Sequence, residues 1–141
     1  MTPDERRAIE HDVEKTALRF FLYLDSYRYD DLTALFVADG VWHRQGKELR
    51  GARMLLDAMH ARPPGTVTQH VATNILVDVL DADHAEATIY LTVYAHAGDA
   101  STTTPVPMSP PGQVGIYREK LARTADGWRI AEITSRQIFR R

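Results

Sequence analysis

Hydrophobic side chains recur every three or four residues over the first 25 positions of the chain. This spacing places them on one face of an α-helix, and they are Ile9, Val13, Ala17, Phe20, Phe21 and Leu24. Thr2 precedes Pro3, which suits the first helical position, and Glu5 completes a capping box with Thr2. The pattern predicts a long first helix with one buried face.

After this helix the pattern changes to shorter segments. Residues 29–37 and 51–65 predict two further helices, the second of which ends at a Pro-Pro-Gly sequence. Between them, the dipeptide Asp39-Gly40 predicts a turn and residues 41–45 predict a first strand.

The second half of the chain has the pattern of a β-sheet. Its β-branched and aromatic segments predict four strands, at residues 66–80, 85–97, 114–123 and 128–139. Residues 98–113 contain four prolines and are too long for an ordinary hairpin loop, so they predict a flap or rim element. The order of elements predicts an α+β fold, with three N-terminal helices packed on the concave face of a curved antiparallel sheet.

Composition narrows the possible functions. At 141 residues the chain is predicted to be a single domain, residues 1–141, and its net charge of -2 gives no electrostatic case for binding nucleic acid or an anionic membrane. No apolar run is long enough to span a bilayer, and the charged N-terminus does not read as a signal peptide, so we expect a cytoplasmic protein. The chain has no cysteine, and its six histidines lack metal-binding spacings. We expect neither a metal nor another cofactor.

The strand predicted at residues 66–80 carries apolar side chains on both faces. With regular alternation, His70 and Asn74 share one face with Ala72 and Leu76. The other face is more apolar still, with Val71, Thr73, Ile75, Val77 and Val79. Because a solvated sheet face normally carries polar residues, we predict that the outer sheet face is covered in a homo-oligomer, a dimer or a trimer.

Three short segments carry a resemblance to a known family. They are "DGVW" from Asp39, "QHVATNI" from Gln69 and "DGWRI" from Asp126. With the order of helices and strands, residues 9–139 resemble the SnoaL-like family of the nuclear transport factor 2-like superfamily. That group includes scytalone dehydratase, hexachlorocyclohexane dehydrochlorinase and dioxygenase small subunits. The resemblance implies a cone-shaped sheet around an apolar pocket, with His70 and Asn74 facing the interior.

The resemblance also implies a catalytic pair. In lyases of this superfamily, an aspartate near the end of the first helix binds a histidine on the strand after the third helix, and Asp25 and His70 match these positions. A carboxylate that holds one imidazole nitrogen fixes the tautomer, and the other nitrogen can act as a general base. On the residues alone, the alternative is an interior histidine bonded to backbone and an aspartate that merely ends a helix.

Further pocket residues follow from the resemblance and from strand positions. His96 falls near a second catalytic histidine of scytalone dehydratase, and Gln113 near its pocket asparagine. A strand tyrosine that faces the pocket could donate to a developing oxyanion, although such residues are more often in the core or at an interface. The remaining candidates are Tyr23, Tyr27, Asn74, Tyr90, Tyr94 and Tyr117.

Two functions are compatible with these residues. The first is a cofactor-independent lyase or isomerase of the dehydratase, dehydrochlorinase or cyclase type, with His70 as base, Asp25 as its orienter and His96 or a tyrosine as electrophilic helper. Its substrate would be a small apolar cyclic or aromatic molecule. The second is a non-catalytic ligand-binding module, or a structural subunit similar to a dioxygenase small subunit. We rank the enzyme first.

Overall fold

The computed structural model describes residues 1–141 and contains three helices and six strands. The helices are α1 (Pro3–Asp25), α2 (Tyr29–Ala34) and α3 (Gly51–His60). The strands are β1 (Phe36–Arg44), β2 (Lys47–Arg50), β3 (Val67–Val79), β4 (His84–His96), β5 (Gln113–Thr124) and β6 (Gly127–Arg140). The predicted α+β class is confirmed.

The first helix begins and packs as its sequence predicts. Thr2 Oγ1 accepts a hydrogen bond from the backbone N–H of Glu5 at 3.1 Å, and the Glu5 carboxylate accepts one from the Thr2 backbone at 2.7 Å. All six apolar positions predicted to face inward are buried. This face packs chiefly on β3 and β6, so α1 covers the concave side of the sheet and ends at the edge strand.

The six strands form one open, mixed sheet in the order β2-β1-β6-β5-β4-β3. Four neighbouring pairs are antiparallel, but β1 and β6 run parallel. The prediction of a wholly antiparallel sheet is therefore corrected. A parallel pair requires a long crossover, and here the crossover is the whole chain from β2 to β5.

Two N-terminal predictions change in detail. The dipeptide Asp39-Gly40 lies inside β1 rather than in a turn, at a register shift between Phe36 and Val41. A Cβ on Gly40 would lie 2.9 Å from the carbonyl oxygen of Ile130, so glycine permits the close approach of β1 to β6. The short strand β2 was not predicted, and α2 and α3 end earlier than expected, at Ala34 and His60.

A bulge interrupts β3. Asn74 has a φ of 50°, and the pairing with β4 shifts between Thr73 and Leu76. The prediction of unbroken alternation is therefore wrong. Beyond the bulge, Ile75, Val77 and Val79 turn inward and pack against the core, whereas Asn74 is exposed.

The core lies between the helices and the concave face of the sheet. Its fully buried members come from α1, α2, α3 and the central strands, and include Phe20, Leu32, Leu55, Met59, Ile89, Leu91, Leu121, Ile130 and Ile133. None of the three helices is long and apolar enough to cross a membrane. The proline-containing segment after β4 is irregular, as predicted.

Candidate active site

Asp25 and His70 are in direct contact. His70 Nδ1 lies 2.6 Å from Asp25 Oδ1, and the backbone N–H of His70 donates to Asp25 Oδ2 at 2.8 Å. Because a carboxylate only accepts, Nδ1 carries the proton and Nε2, which has no partner in the chain, is left as the acceptor nitrogen. The side chain of Asp25 is 19% exposed and that of His70 is 7% exposed. The pair is therefore largely buried, and the ring of His70 is held in one orientation.

Two further residues support the Asp25 carboxylate. Thr68 Oγ1 donates to Asp25 Oδ1 at 2.8 Å and accepts from Arg62 Nη2 at 3.2 Å. Arg62 Nη1 also donates to the carbonyl of Leu24 at 3.1 Å and to the hydroxyl of Tyr29 at 2.8 Å. Arg62 thus joins the C-terminal end of α1 to β3. A cation is favourable at this end of a helix, where Asp25 itself is not.

The ring of His70 lines a cavity of about 480 Å³ between the end of α1 and the concave face of the sheet. We call it the dyad cavity, after the Asp25–His70 pair. Its volume is typical of sites for small molecules. Only five of its fourteen lining residues are hydrophobic, so its walls are more polar than the predicted apolar pocket. Its polar members include Arg44, Arg62, His70, Gln113, Ser135 and Gln137.

Tyr117 supplies a phenol to the same cavity. The side chain is buried, and its ring packs edge-on against Phe21 at 5.3 Å, while Phe21 stacks on His70 at 5.8 Å. Burial is the main cause that raises the pKa of Tyr117 to about 12, and the charge of Arg44 opposes this shift. The phenol is therefore protonated at neutral pH and available as a hydrogen-bond donor.

Comparison with known proteins identifies the family. The sequence pattern that describes the SnoaL-like domain matches residues 5–134. The chain belongs to the SnoaL-like family. The resemblance carried by the three quoted segments is thus confirmed. No functionally curated protein is similar to the chain in sequence.

Solved structures of low sequence identity share this SnoaL-like fold. A protein from Catenulispora acidiphila is 22% identical, with a TM-score of 0.76, over 94% of this chain and 93% of its own. A scytalone dehydratase-like protein from Novosphingobium aromaticivorans is 16% identical, with a TM-score of 0.78, over 98% and 89%. A type 2 hexachlorocyclohexane dehydrochlorinase is 14% identical, with a TM-score of 0.79, over 98% and 90%.

Three predicted site residues of the SnoaL-like domain lie outside the dyad cavity. His96 and Tyr94 line a separate groove of about 540 Å³, against the irregular segment after β4. Tyr90 is 48% exposed on the outer face, the sheet surface away from the helices. Their placement in the pocket is therefore corrected. Tyr90 and Tyr94 alternate with the inward-facing Leu91 and Val93, so their side chains project away from the cone.

Of the remaining candidate pocket residues, one lines the dyad cavity and three do not. Gln113 lines the dyad cavity and accepts a hydrogen bond from Gln137. Asn74 lies on the exposed bulge and not in the cavity. Tyr23 packs against the core beneath Arg28. Tyr27 donates its hydroxyl to the carbonyl of Thr66. Neither tyrosine lines the cavity.

Sequence reasoning missed Thr68, Arg62 and Arg44. Thr68 stands two positions before His70 and must share its strand face, and Arg44 stands two after the inward Trp42, so alternation could have found both. Arg62 precedes a Pro-Pro pair in a segment without periodicity, and no pattern marks it. No three histidine, aspartate or glutamate side chains come together in a way that could hold a metal ion.

Proposed function

We propose that this SnoaL-like domain is a cofactor-independent lyase or isomerase that acts on a small cyclic molecule, with His70 as general base. The observation that carries the proposal is the 2.6 Å contact between Asp25 and a histidine ring that lines a cavity. The solved structures named as dehydratase-like and dehydrochlorinase share the fold and support the same class of reaction.

In the proposed dehydration, Nε2 of His70 takes a proton from a ring carbon. The C–H electron pair forms the new double bond, and the hydroxyl group on the adjacent carbon leaves with that proton returned from the imidazolium. The net change is the loss of one water molecule. Asp25 stabilises the imidazolium between the two steps.

Tyr117, one of the strand tyrosines named from the sequence, takes the role of electrophilic helper that the sequence assigned to His96 or a tyrosine. Its phenol would donate a hydrogen bond to the oxygen of the departing hydroxyl group, on which negative charge develops. A pKa of about 12 keeps this donor protonated through the cycle. We therefore propose that His70 is the general base, that Asp25 orients it and that Tyr117 is the hydrogen-bond donor to the substrate.

The test is a screen of cyclic hydroxy and halo compounds for new ultraviolet absorbance, followed by kinetics on any substrate found. His70→Ala and Asp25→Asn should each reduce kcat/KM by about 10²- to 10⁴-fold, the usual contribution of a general base. His84 and Asp81 form a second, exposed histidine–aspartate pair at 3.0 Å, so His84→Ala and Asp81→Asn are matched controls. Full activity in His70→Ala would exclude the proposed base.

The second candidate is a non-catalytic subunit, favoured by exposed apolar side chains on the outer face, among them Val71, Leu76 and Tyr90. A subunit of this kind would need a larger partner to remain in solution. Expression of the chain alone as a clean homo-oligomer would count against it, whereas aggregation without a partner would favour it.

A further inference from the structure

The dyad cavity is positively charged. Its fourteen lining residues include two arginines, Arg44 and Arg62, and no aspartate or glutamate. Two carboxylates lie behind the wall, and both are already engaged. Asp25 accepts hydrogen bonds from Thr68 and from the backbone and ring of His70, and Glu132 pairs with His43 at 3.3 Å and with Lys120 at 3.6 Å. A further acid, Glu119, is fully buried two residues after Tyr117 in β5, and burial raises its pKa well above the ordinary value, which favours the neutral form. The cavity therefore lacks a free counter-ion.

Of the two guanidinium groups, Arg44 is the one without a polar partner. Arg62 is committed to three hydrogen bonds with Leu24, Tyr29 and Thr68. Arg44 forms no hydrogen bond and no ion pair, and its guanidinium carbon lies 5.3 Å from the centre of the Trp42 ring. Five N–H donors are thus available at the cavity wall.

The surroundings of Arg44 disfavour its charge. Partial burial is the main cause that lowers the pKa of Arg44, and repulsion from Arg62 adds to it. Arginine nevertheless stays protonated in proteins. An anion that entered the cavity would relieve both effects at once, because it would replace the lost solvation and screen the two cations from each other.

We propose that Arg44 binds the carboxylate of the substrate, so that the dyad cavity takes small cyclic carboxylic acids in their anionic form. The inference rests on the proposed function only for placing the reacting carbon beside His70. Arg44 has no carboxylate partner, so a single monoanion in the cavity would neutralise it. The planar guanidinium fork matches a carboxylate in a bidentate geometry, and Gln113 and Gln137 lie on the same wall.

The test measures binding and needs no turnover. Benzoate and cyclohexanecarboxylate would be titrated calorimetrically against the intact protein, each beside its neutral amide of nearly the same shape. We expect each acid to bind at least about tenfold more tightly than its amide, the size of one charge-assisted hydrogen-bonded contact. Equal affinity of acid and amide, or no binding of either acid at millimolar concentration, would overturn the proposal. Tighter binding of phenyl phosphate than of benzoate would overturn the carboxylate assignment.

Matched variants locate the binding group. Arg44→Gln should weaken benzoate by about tenfold or more, and Arg44→Lys, which keeps the charge but not the fork, should fall between. Arg53→Gln removes the same charge from an exposed position on α3 and should leave the affinity unchanged. Unchanged benzoate binding in Arg44→Gln contradicts the assignment.

Failure of this proposal can be told apart from failure of the lyase proposal. His70→Ala should lower kcat/KM by about 10²- to 10⁴-fold and leave benzoate affinity near that of the unsubstituted protein, since the charge that holds the acid is elsewhere. Loss of binding in Arg44→Gln with full activity in His70→Ala would retain the anion site and exclude the base. Unchanged binding in Arg44→Gln with a large loss of activity in His70→Ala would retain the base and exclude the anion site.

Discussion

Thr68 shares one oxygen of the Asp25 carboxylate with the ring of His70, and Arg62 holds the Thr68 hydroxyl in place. In the proposed mechanism, Thr68 is a positioning residue, because it would act on His70 through Asp25 rather than on the substrate. Replacing such a residue should change the pH dependence of the reaction, while the shape of the cavity and the residues that line it stay the same.

We predict that Thr68→Val lowers kcat by about tenfold, the effect of losing one hydrogen bond to a charged group. Thr68→Ser, which keeps the hydroxyl, should restore most of the activity. The measurement is the pH dependence of kcat/KM, whose acidic limb should move in the valine variant. An equal loss of activity at every pH, accompanied by a lower melting temperature, would indicate a purely structural role.

Glu119 is the most costly polar residue of the core. Its side chain is 0% exposed, and neither carboxylate oxygen has a hydrogen-bond partner. Burial raises the pKa of Glu119 well above its ordinary value of 4.5. Above that pH the unfolded chain loses the proton while the folded protein keeps it, so the free energy of unfolding falls as pH rises until the folded pKa is reached.

Glu119→Gln, which removes this titration, should therefore be more stable than the unsubstituted chain at neutral pH. The two should differ little near pH 4.5, and the difference should grow by about 1 kcal/mol or more per pH unit above it. Urea unfolding across a pH series measures this, with Glu14→Gln on the exposed side of α1 as the control. A difference that does not depend on pH would contradict a neutral buried Glu119.

At the residue scale, the sequence predicted the two residues in contact and missed those that support them. Asp25 and His70 are 45 positions apart, and only a resemblance to whole proteins could connect them. Regular alternation predicts the side of a strand, which is why Thr68 and Arg44 were within reach. The same alternation places Glu119 between the inward Tyr117 and Leu121, but its position between Arg118 and Lys120 gives the segment the appearance of a solvated surface.

At the scale of elements, β3 shows what periodicity can and cannot predict. Its existence and its extent were correctly predicted to within one or two residues, because β-branched side chains dominate it. The bulge at Asn74 was not, since a single extra residue leaves the apolar content unchanged while reversing which side chains face inward. For the same reason, Asn74 was assigned to the interior and is found outside.

The positive φ of Asn74 leads to a prediction. A β-branched side chain is strained in this left-handed region, so Asn74→Val should reduce the free energy of unfolding by about 1–2 kcal/mol. Asn74→Gly removes the same side chain without the strain and should cost less. Urea denaturation measures the free energy of unfolding of the two variants. Equal losses would mean that the asparagine side chain, and not the backbone conformation, is what matters.

At the scale of the whole molecule, the outer face leaves apolar side chains in contact with solvent. Val71, Leu76 and Tyr90 are 37%, 61% and 48% exposed on strands β3 and β4. Exposed apolar groups gathered on one face are uncommon in monomers. We predict that this face is the interface of a homo-oligomer. The sequence led to the same prediction through an alternation that the bulge breaks, since Ile75, Val77 and Val79 turn to the core and Leu76 lies outside.

Tyr90→Glu should dissociate the oligomer, because it would bury a charge in the interface. Leu22→Glu is the matched control, since Leu22 is 59% exposed on α1, away from the sheet surface. Sedimentation at micromolar concentration measures the outcome. A monomeric unsubstituted protein, or an oligomer that persists in Tyr90→Glu, would exclude the outer face as the interface.

The Asp25–His70 contact has a consequence for how activity and folding are connected. It joins the last residue of the first helix to a strand at the sheet edge, and no hydrogen bond within either element brings the two together. A chain with its helices and strands formed but with α1 undocked would give a native-like far-ultraviolet spectrum and yet lack the Asp25–His70 contact. During refolding, recovery of the proposed lyase activity should therefore lag behind recovery of secondary structure, and the rate of its recovery would report the docking of the first helix.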